Sequence, residues 1–330
     1  MERHFFPGAN TPVGFYNNFG QVADYKKQGK AVHIKGGSGC GKSTLMKKIA
    51  KRAQDKDLTI EYMHCSSDPE SLDGIHISDM NYIMFDSTSP HMQDPTLVCA
   101  AEISFNTADF LDRKLLEEQR DTLITLLNSK TRYFSDFYRY LAAAKLLSPP
   151  EREIDLRLIS NISDMYNQKQ RFGNTGKERK LFATAITPSG HTSFLENILE
   201  GRIIGITDGT GASDLLKEIN RRAKVSGYNT DCYYCPMSPN EKLEHLVIRD
   251  ANLSFTTLNK YHSYEKIDEK IKMPERTPLP SEFDNLLALA QNSLKNAKAN
   301  HYEIEKIYIN AMDFDTMNKE FERIYEFFEL

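Results

Sequence analysis

Two periods of apolar and polar positions share this chain: short β-branched runs and long helical stripes. Ala31-Val32-His33-Ile34, Thr59-Ile60-Glu61-Tyr62-Met63-His64-Cys65 and Tyr82-Ile83-Met84-Phe85-Asp86 have the length and composition of strands. Between the first two, Leu45, Met46, Ile49 and Ala53 recur at helical spacing among lysines. From Asp109 to Leu147, residues Leu116, Leu123, Leu127, Phe134, Phe137, Tyr138 and Leu141 trace one helical face. Ser148-Pro149-Pro150 breaks it before a second run from Glu151 to Lys169. Glu282 to Lys298 and Glu303 to Phe328 repeat that arrangement at the C-terminus, where Ala297-Lys298 echoes Ala144-Lys145. The pattern predicts an α/β protein of two tandem units. Each is expected to be a mostly parallel sheet with flanking helices, closed by a helical hairpin at about 109–170 and about 282–330.

Laying the chain on itself supports the two units. At a shift of 170, residues 34–69 match 204–239 at eleven positions, among them Ile34/Ile204, Gly39/Gly209, Gly41/Gly211, Ser43/Ser213 and Cys65/Cys235. Unrelated sequences of this composition would give roughly two. The register opens at a shift of 176 with Phe6/Phe182, Thr11/Thr187 and Gly14/Gly190, and continues at 171 through Ile77/Ile248, Asn81/Asn252 and His91/His262. The expected division is 1–170 and 181–330, joined by the glycine-rich and charged linker 171–180.

The first unit carries Gly36-Gly37-Ser38-Gly39-Cys40-Gly41-Lys42-Ser43, a complete G-x-x-x-x-G-K-[ST] pattern with Thr44 behind it, a strand before it and a helix after it. Glycines let backbone N–H groups close around phosphate oxygens, and the following helix presents its positive end to the same anion. Gly36 to Thr44 is therefore the expected nucleotide site, with Lys42 reaching the β- and γ-phosphates and Ser43 ligating Mg²⁺. Cys40 reads as a small space-filling residue. Asp86, ending a hydrophobic strand, is the expected second metal ligand and a catalytic candidate beside Lys42; it also suits the start of the turn Ser87-Thr88-Ser89-Pro90. His91 is the third catalytic candidate, with a turn cap as its alternative. His64, Cys65 and Asp68, at the end of another strand, are expected to face the same crevice. No glutamate follows Asp86, which leaves the base unassigned.

In the second copy Ala212 stands for Lys42, Ile206 for Gly36 and Thr257 for Asp86, so the main charges for holding a triphosphate are gone. Cys232-Tyr233-Tyr234-Cys235 is a single C-x-x-C with no partner pair and reads as structural.

These pieces, together with Arg3-His4-Phe5-Phe6-Pro7-Gly8, His64-Cys65-Ser66-Ser67-Asp68-Pro69, Leu72-Asp73-Gly74, Ser89-Pro90-His91, Asp94-Pro95 and Leu181-Phe182-Ala183-Thr184-Ala185-Ile186-Thr187-Pro188, resemble an uncharacterised bacterial family of tandem P-loop ATPases, also described as nucleotide-binding proteins. The resemblance spans both halves and implies the tandem fold and ATP as ligand. The family's second loop is often intact, and Ala212 and Ile206 depart from it here.

Composition narrows the function further. The balance of 42 basic against 46 acidic residues, net −4, lacks the strongly basic signature of a dedicated nucleic-acid binder. No apolar run approaches the ~18 residues of a membrane span, and the first eight residues lack the h-region of a signal peptide. Five scattered cysteines fit a reducing compartment, so a cytoplasmic location away from the membrane is expected. The leading expectation is Mg-ATP hydrolysis at the first unit, coupled to a conformational change against a pseudo-active second unit, with an unknown protein partner or small-molecule acceptor and an oligomer left open. A nucleotide or small-molecule kinase and a non-hydrolysing nucleotide sensor are the alternatives.

Overall fold

The structure is a computed structural model that describes residues 2–24, 26, 28–91, 94–149, 155–171 and 173–330. Pro150 of the expected break, the expected helix start at Glu151 and Phe172 of the expected linker lie outside the described residues. The first half contains β1 (Glu2–Phe5), β2 (Gly8–Thr11), β3 (Gly14–Asn17), β4 (Lys30–Lys35), α1 (Lys42–Gln54), β5 (Ile60–Cys65), β6 (Asp68–Ile77), β7 (Tyr82–Asp86), β8 (Glu102–Asn106), α2 (Arg113–Glu118), α3 (Arg120–Leu146) and α4 (Leu156–Asp164). The second contains β9 (Glu178–Leu181), β10 (Thr184–Thr187), β11 (Gly190–Ser193), α5 (Leu195–Ile198), β12 (Arg202–Thr207), α6 (Ala212–Val225), β13 (Thr230–Cys235), β14 (Ser238–Ile248), β15 (Leu253–Leu258), β16 (Glu269–Ile271), α7 (Ser281–Ala311) and α8 (Phe314–Phe328).

The described strands form two six-stranded sheets of one topology, β1-β5-β6-β7-β4-β8 and β9-β13-β14-β15-β12-β16, and two small hairpins, β2-β3 and β10-β11. Both sheets are mixed, because β6 and β14 run against all their neighbours. The reason is local: only Ser66-Ser67 separates β5 from β6, and only 78–81 separates β6 from β7, which is too short for the crossover a parallel pair needs. The repeat extends to single bonds. Thr11 Oγ1 donates to Gly14 O at 2.7 Å, and Thr187 Oγ1 to Gly190 O at 2.8 Å. Asn81 and Asn252 both turn the chain in the left-handed region, at φ 55° and 51°, which asparagine tolerates. Phe6 and Phe182, equivalent residues, bond each other reciprocally across an approximate two-fold axis, N to O at 2.9 and 3.0 Å.

The two sheets face one another. Phe5, Ala31, Met63, Ile83 and Phe85 of the first meet Leu181, Ile203, Tyr233 and Val247 of the second in a shared core. Beside it lies an ion network in which Arg179 on β9 bonds Glu61 at 2.8 and 2.9 Å and Asp231 at 2.6 and 2.9 Å. Residues 178–180, expected in the linker, are thus part of β9, the edge strand of the second sheet, and Arg179 on it reaches the first.

The helices correct the expected pairing. α3 does not fold back on α4 but lies along α7, while α4 packs against α6. α7 is one helix through 299–302, where nothing in Ala-Asn-His-Tyr breaks it, and the chain turns only at Met312-Asp313, where Asp313 caps α8 by accepting from Thr316 N. α8 then leaves its own half: Met317, Phe321, Ile324 and Phe328 are buried with Val32, Leu45 and Ile49 on the outer face of the first sheet. The expected unit boundaries are therefore crossed, since each sheet is covered by a helix from the other half.

Candidate functional site

The glycine-rich loop 36–41 leaves β4 and enters α1, as its sequence requires. Gly39 has φ +73°, and a Cβ there would lie 2.9 Å from Glu305 O of α7, so this position takes only glycine. Gly37 faces the Tyr308 ring of the same helix. α7, from the second half, thus lies on the loop, and between them opens a cavity of about 780 Å³. Gly36, Gly37, Ser38, Gly39, Cys40, Gly41, Lys42, Ser43 and Thr44 all line it, as do Asp86 and His91.

The charged groups converge on one wall. Lys42 Nζ donates to Gly36 O and Gly37 O at 2.8 and 2.7 Å and lies 3.6 Å from Asp86 Oδ2. β7 pairs in parallel with β4, Asp86 opposite Ile34, which sets the carboxylate beside the loop. Its Oδ1 accepts from Thr88 N at 2.8 Å, so one oxygen starts the turn and the other faces the lysine. Ser43 Oγ accepts from Leu72 N at 3.0 Å, and Ser213 Oγ repeats the bond with Leu243 N at 2.9 Å. That bond fastens helix to strand in both halves, and a hydroxyl retains a donor and a second lone pair beyond it. Burial raises the Cys40 thiol, in keeping with a space-filling role.

His91 stands behind this wall, its Nε2 3.6 Å from Asp73 Oδ2 and its buried Nδ1 without a partner. Asp73, which the sequence names only within Leu72-Asp73-Gly74 and not among the catalytic candidates, joins the charged wall. Burial raises its carboxyl to about 6, Asp86 adds to the rise, and His91 opposes it. The signal for it was the acidic match Asp73/Glu244 at the shift of 171. Cys65 and Asp68 line the cavity as expected; His64 does not, bonding instead to His4 at 2.8 Å and Pro69 O at 2.6 Å. The far wall comes from the long helices: Lys130 of α3, its ammonium pKa lowered by burial, bonds His301 of α7 at 2.9 Å, and Lys298 bonds Asp68 at 2.7 Å. No local motif announces these groups, more than 80 residues from the loop. An ammonium, a hydroxyl and two carboxylates at the mouth of a helix suit a phosphate chain with a hard divalent cation, so the residues present fit Mg²⁺ with a nucleotide.

The second copy is altered in shape as well as charge. Ile206 pairs with Thr257 where Ile34 pairs with Asp86, so Ile206 is the counterpart of Ile34 and not of Gly36. Residues 36–41 separate β4 from α1, but only 208–211 separate β12 from α6, a loop two residues shorter. It is also filled: Thr210 N donates to Pro274 O at 2.8 Å, and a Cβ on Gly209 would lie 2.3 Å from that oxygen.

No protein-family model, curated protein or solved structure matches the chain. Among the described residues no helix is long and apolar enough to cross a membrane.

Proposed function

We propose that the first unit is a P-loop nucleoside triphosphatase that binds Mg-ATP at Gly36–Thr44 and hydrolyses it, while the second unit has lost the site and serves as a mechanical partner. The observation that carries this reading is the convergence of Lys42, Asp86, Asp73 and His91 on one wall of a cavity closed by α7. A triphosphate entering the cavity would replace the loop carbonyls as acceptors for Lys42, and the amide-rich start of α1 would face the same anion. Ser43 and Asp86 are the groups to hold Mg²⁺, which when bound supplies charge neutralisation on the β- and γ-phosphates. Asp73, with a carboxyl near 6, is ionised at pH 7 yet basic enough to take a proton from an attacking water, and His91 holds it in place. The apolar wall of Leu127, Phe134 and Leu294 suits the base. Because α7 belongs to the second half, filling the cavity is felt by both halves.

A phosphotransferase is the second reading, favoured by the further wall that Cys65 to Asp68, Ser71 and Leu72 add to the cavity beside Asp73. Calorimetry and phosphate release with purified chain test both. ATP binding with release of inorganic phosphate is expected; ADP formed without free phosphate, and only with an added acceptor, would favour the kinase. Absence of Mg-ATP binding would overturn the site.

A further inference from the structure

We infer that the second unit carries a site for a borderline transition-metal ion, Zn²⁺ by chemistry, built from Glu244, His245 and His262. One ligand atom from each lies within 4.8 Å of the others, and all three side chains are buried. Bonds of about 2.0–2.2 Å to one ion would bring such atoms to roughly 3.3 Å, a closure that side-chain rotation supplies.

His245 is the observation that singles out this cluster. Its Nδ1 is committed to Thr256 Oγ1 at 2.8 Å, while Nε2 is buried without a hydrogen-bond partner. A ring with one nitrogen pinned by a hydroxyl and the other bare among ligand-type groups has the arrangement of a metal ligand with its outer-shell support. His262 is held through its Nε2, 3.1 Å from Thr257 Oγ1 and 3.3 Å from Asn259 Nδ2, and its ring stands edge-on to His245 at 4.7 Å between centroids.

Comparison of the halves gives an independent argument. The counterparts of Glu244, His245 and His262 at the shift of 171 are Asp73, Gly74 and His91. The second unit keeps the carboxylate and one imidazole, and has gained a second imidazole where the first has glycine. Where the first unit offers oxygen groups alone beside one imidazole, the second offers two nitrogen ligands. Two imidazoles with one carboxylate select Zn²⁺, Co²⁺ or Ni²⁺ over Mg²⁺ and Ca²⁺, which prefer oxygen. Lys242 Nζ, 3.1 Å from Glu244 Oε1 and 3.4 Å from Asp208 Oδ1, is shared by the two carboxylates, so an ion on Glu244 would leave it Asp208 as partner.

Titration of chelator-stripped full-length chain with Zn²⁺, and separately with Co²⁺, tests the site. One ion per chain with micromolar or tighter affinity is expected, with visible Co²⁺ bands of a low-coordinate site and no displacement by excess Mg²⁺. His245→Ala and His262→Ala should each weaken Zn²⁺ at least about 100-fold, and Lys242→Met should tighten it at least about tenfold by removing a like charge. Circular dichroism verifies that each variant folds; should the histidine variants fail, Lys242→Met and the Co²⁺ spectrum of the wild type decide. No stoichiometric Zn²⁺ in the wild type, unchanged affinity in Lys242→Met, or a full complement in a folded His245→Ala/His262→Ala chain would overturn the inference.

Discussion

Lys42 and Asp86 sit 3.6 Å apart and partly neutralise one another, and the proposed site would draw the lysine to the phosphates. Lys42→Ala should therefore weaken Mg-ATP at least about tenfold, ~1.4 kcal/mol, with circular dichroism unchanged; equal calorimetric affinity in mutant and wild type would remove the lysine from the site. Asp73 makes the second residue-scale prediction. Its carboxyl is raised to about 6, so it is protonated and unable to accept a proton below that pH and ionised above it. Turnover at saturating Mg-ATP should rise between about pH 5 and 7 in the wild type and lose both its rate and that limb in Asp73→Asn. A pH profile unchanged in the variant would reassign the base.

At the scale of elements, the contact between loop 36–41 and α7 is made by glycine. Gly39→Ala puts a Cβ on a residue at φ +73° and 2.9 Å from Glu305 O, so both backbone strain and displacement of α7 are expected. The cost should be about 1–3 kcal/mol by urea titration, with loss of ATP binding; a variant as stable as the wild type would show that α7 is not seated on the loop. Sequence made β4, α1, β5 and β7 legible because each is a short local pattern. It misjudged the partners of α3 and α4 because an amphipathic stripe states that a face is buried and not against what.

For the whole molecule, the crossing of α8 makes the halves interdependent. The buried Met317, Phe321, Ile324 and Phe328 each represent ~1.5–3 kcal/mol of apolar burial, together comparable to the net stability of a domain. A chain ending at Met312 should fail to fold cooperatively, as should 1–170 alone, both read by thermal unfolding. The ion network between the sheets gives a further test. Against the cost of burial, Arg179 holds Glu61 and Asp231 below their ordinary carboxylate values, so both contribute stability above those values that is lost as pH falls. Arg179→Met, which leaves Glu61 to His76 and Asp231 to Arg249, should lose up to about 3 kcal/mol at pH 7 and show a shallower loss in acid; unchanged urea midpoints would mean that Arg179 is dispensable.

The sequence by itself determined the two units, their repeated register from the loop onward, the complete loop at Gly36–Ser43, and Asp86 at the end of a strand, because each is written in neighbouring residues or in their recurrence at a fixed shift; it misplaced the strand before the loop, matching Ile34 with Ile204 where the structure matches it with Ile206. It also located the loss in the second copy, in Ala212 and Thr257, but not the shortened loop or its filling by Pro274, since aligning identities cannot see which strand residues pair. Tertiary structure alone decided that Asp73 joins the charged wall, that Lys130, Lys298 and His301 supply the opposite one, and that α7 and α8 cross to the first half. Burial and proximity between residues from tens to hundreds of positions apart set those features, and neither leaves a periodic mark in the chain.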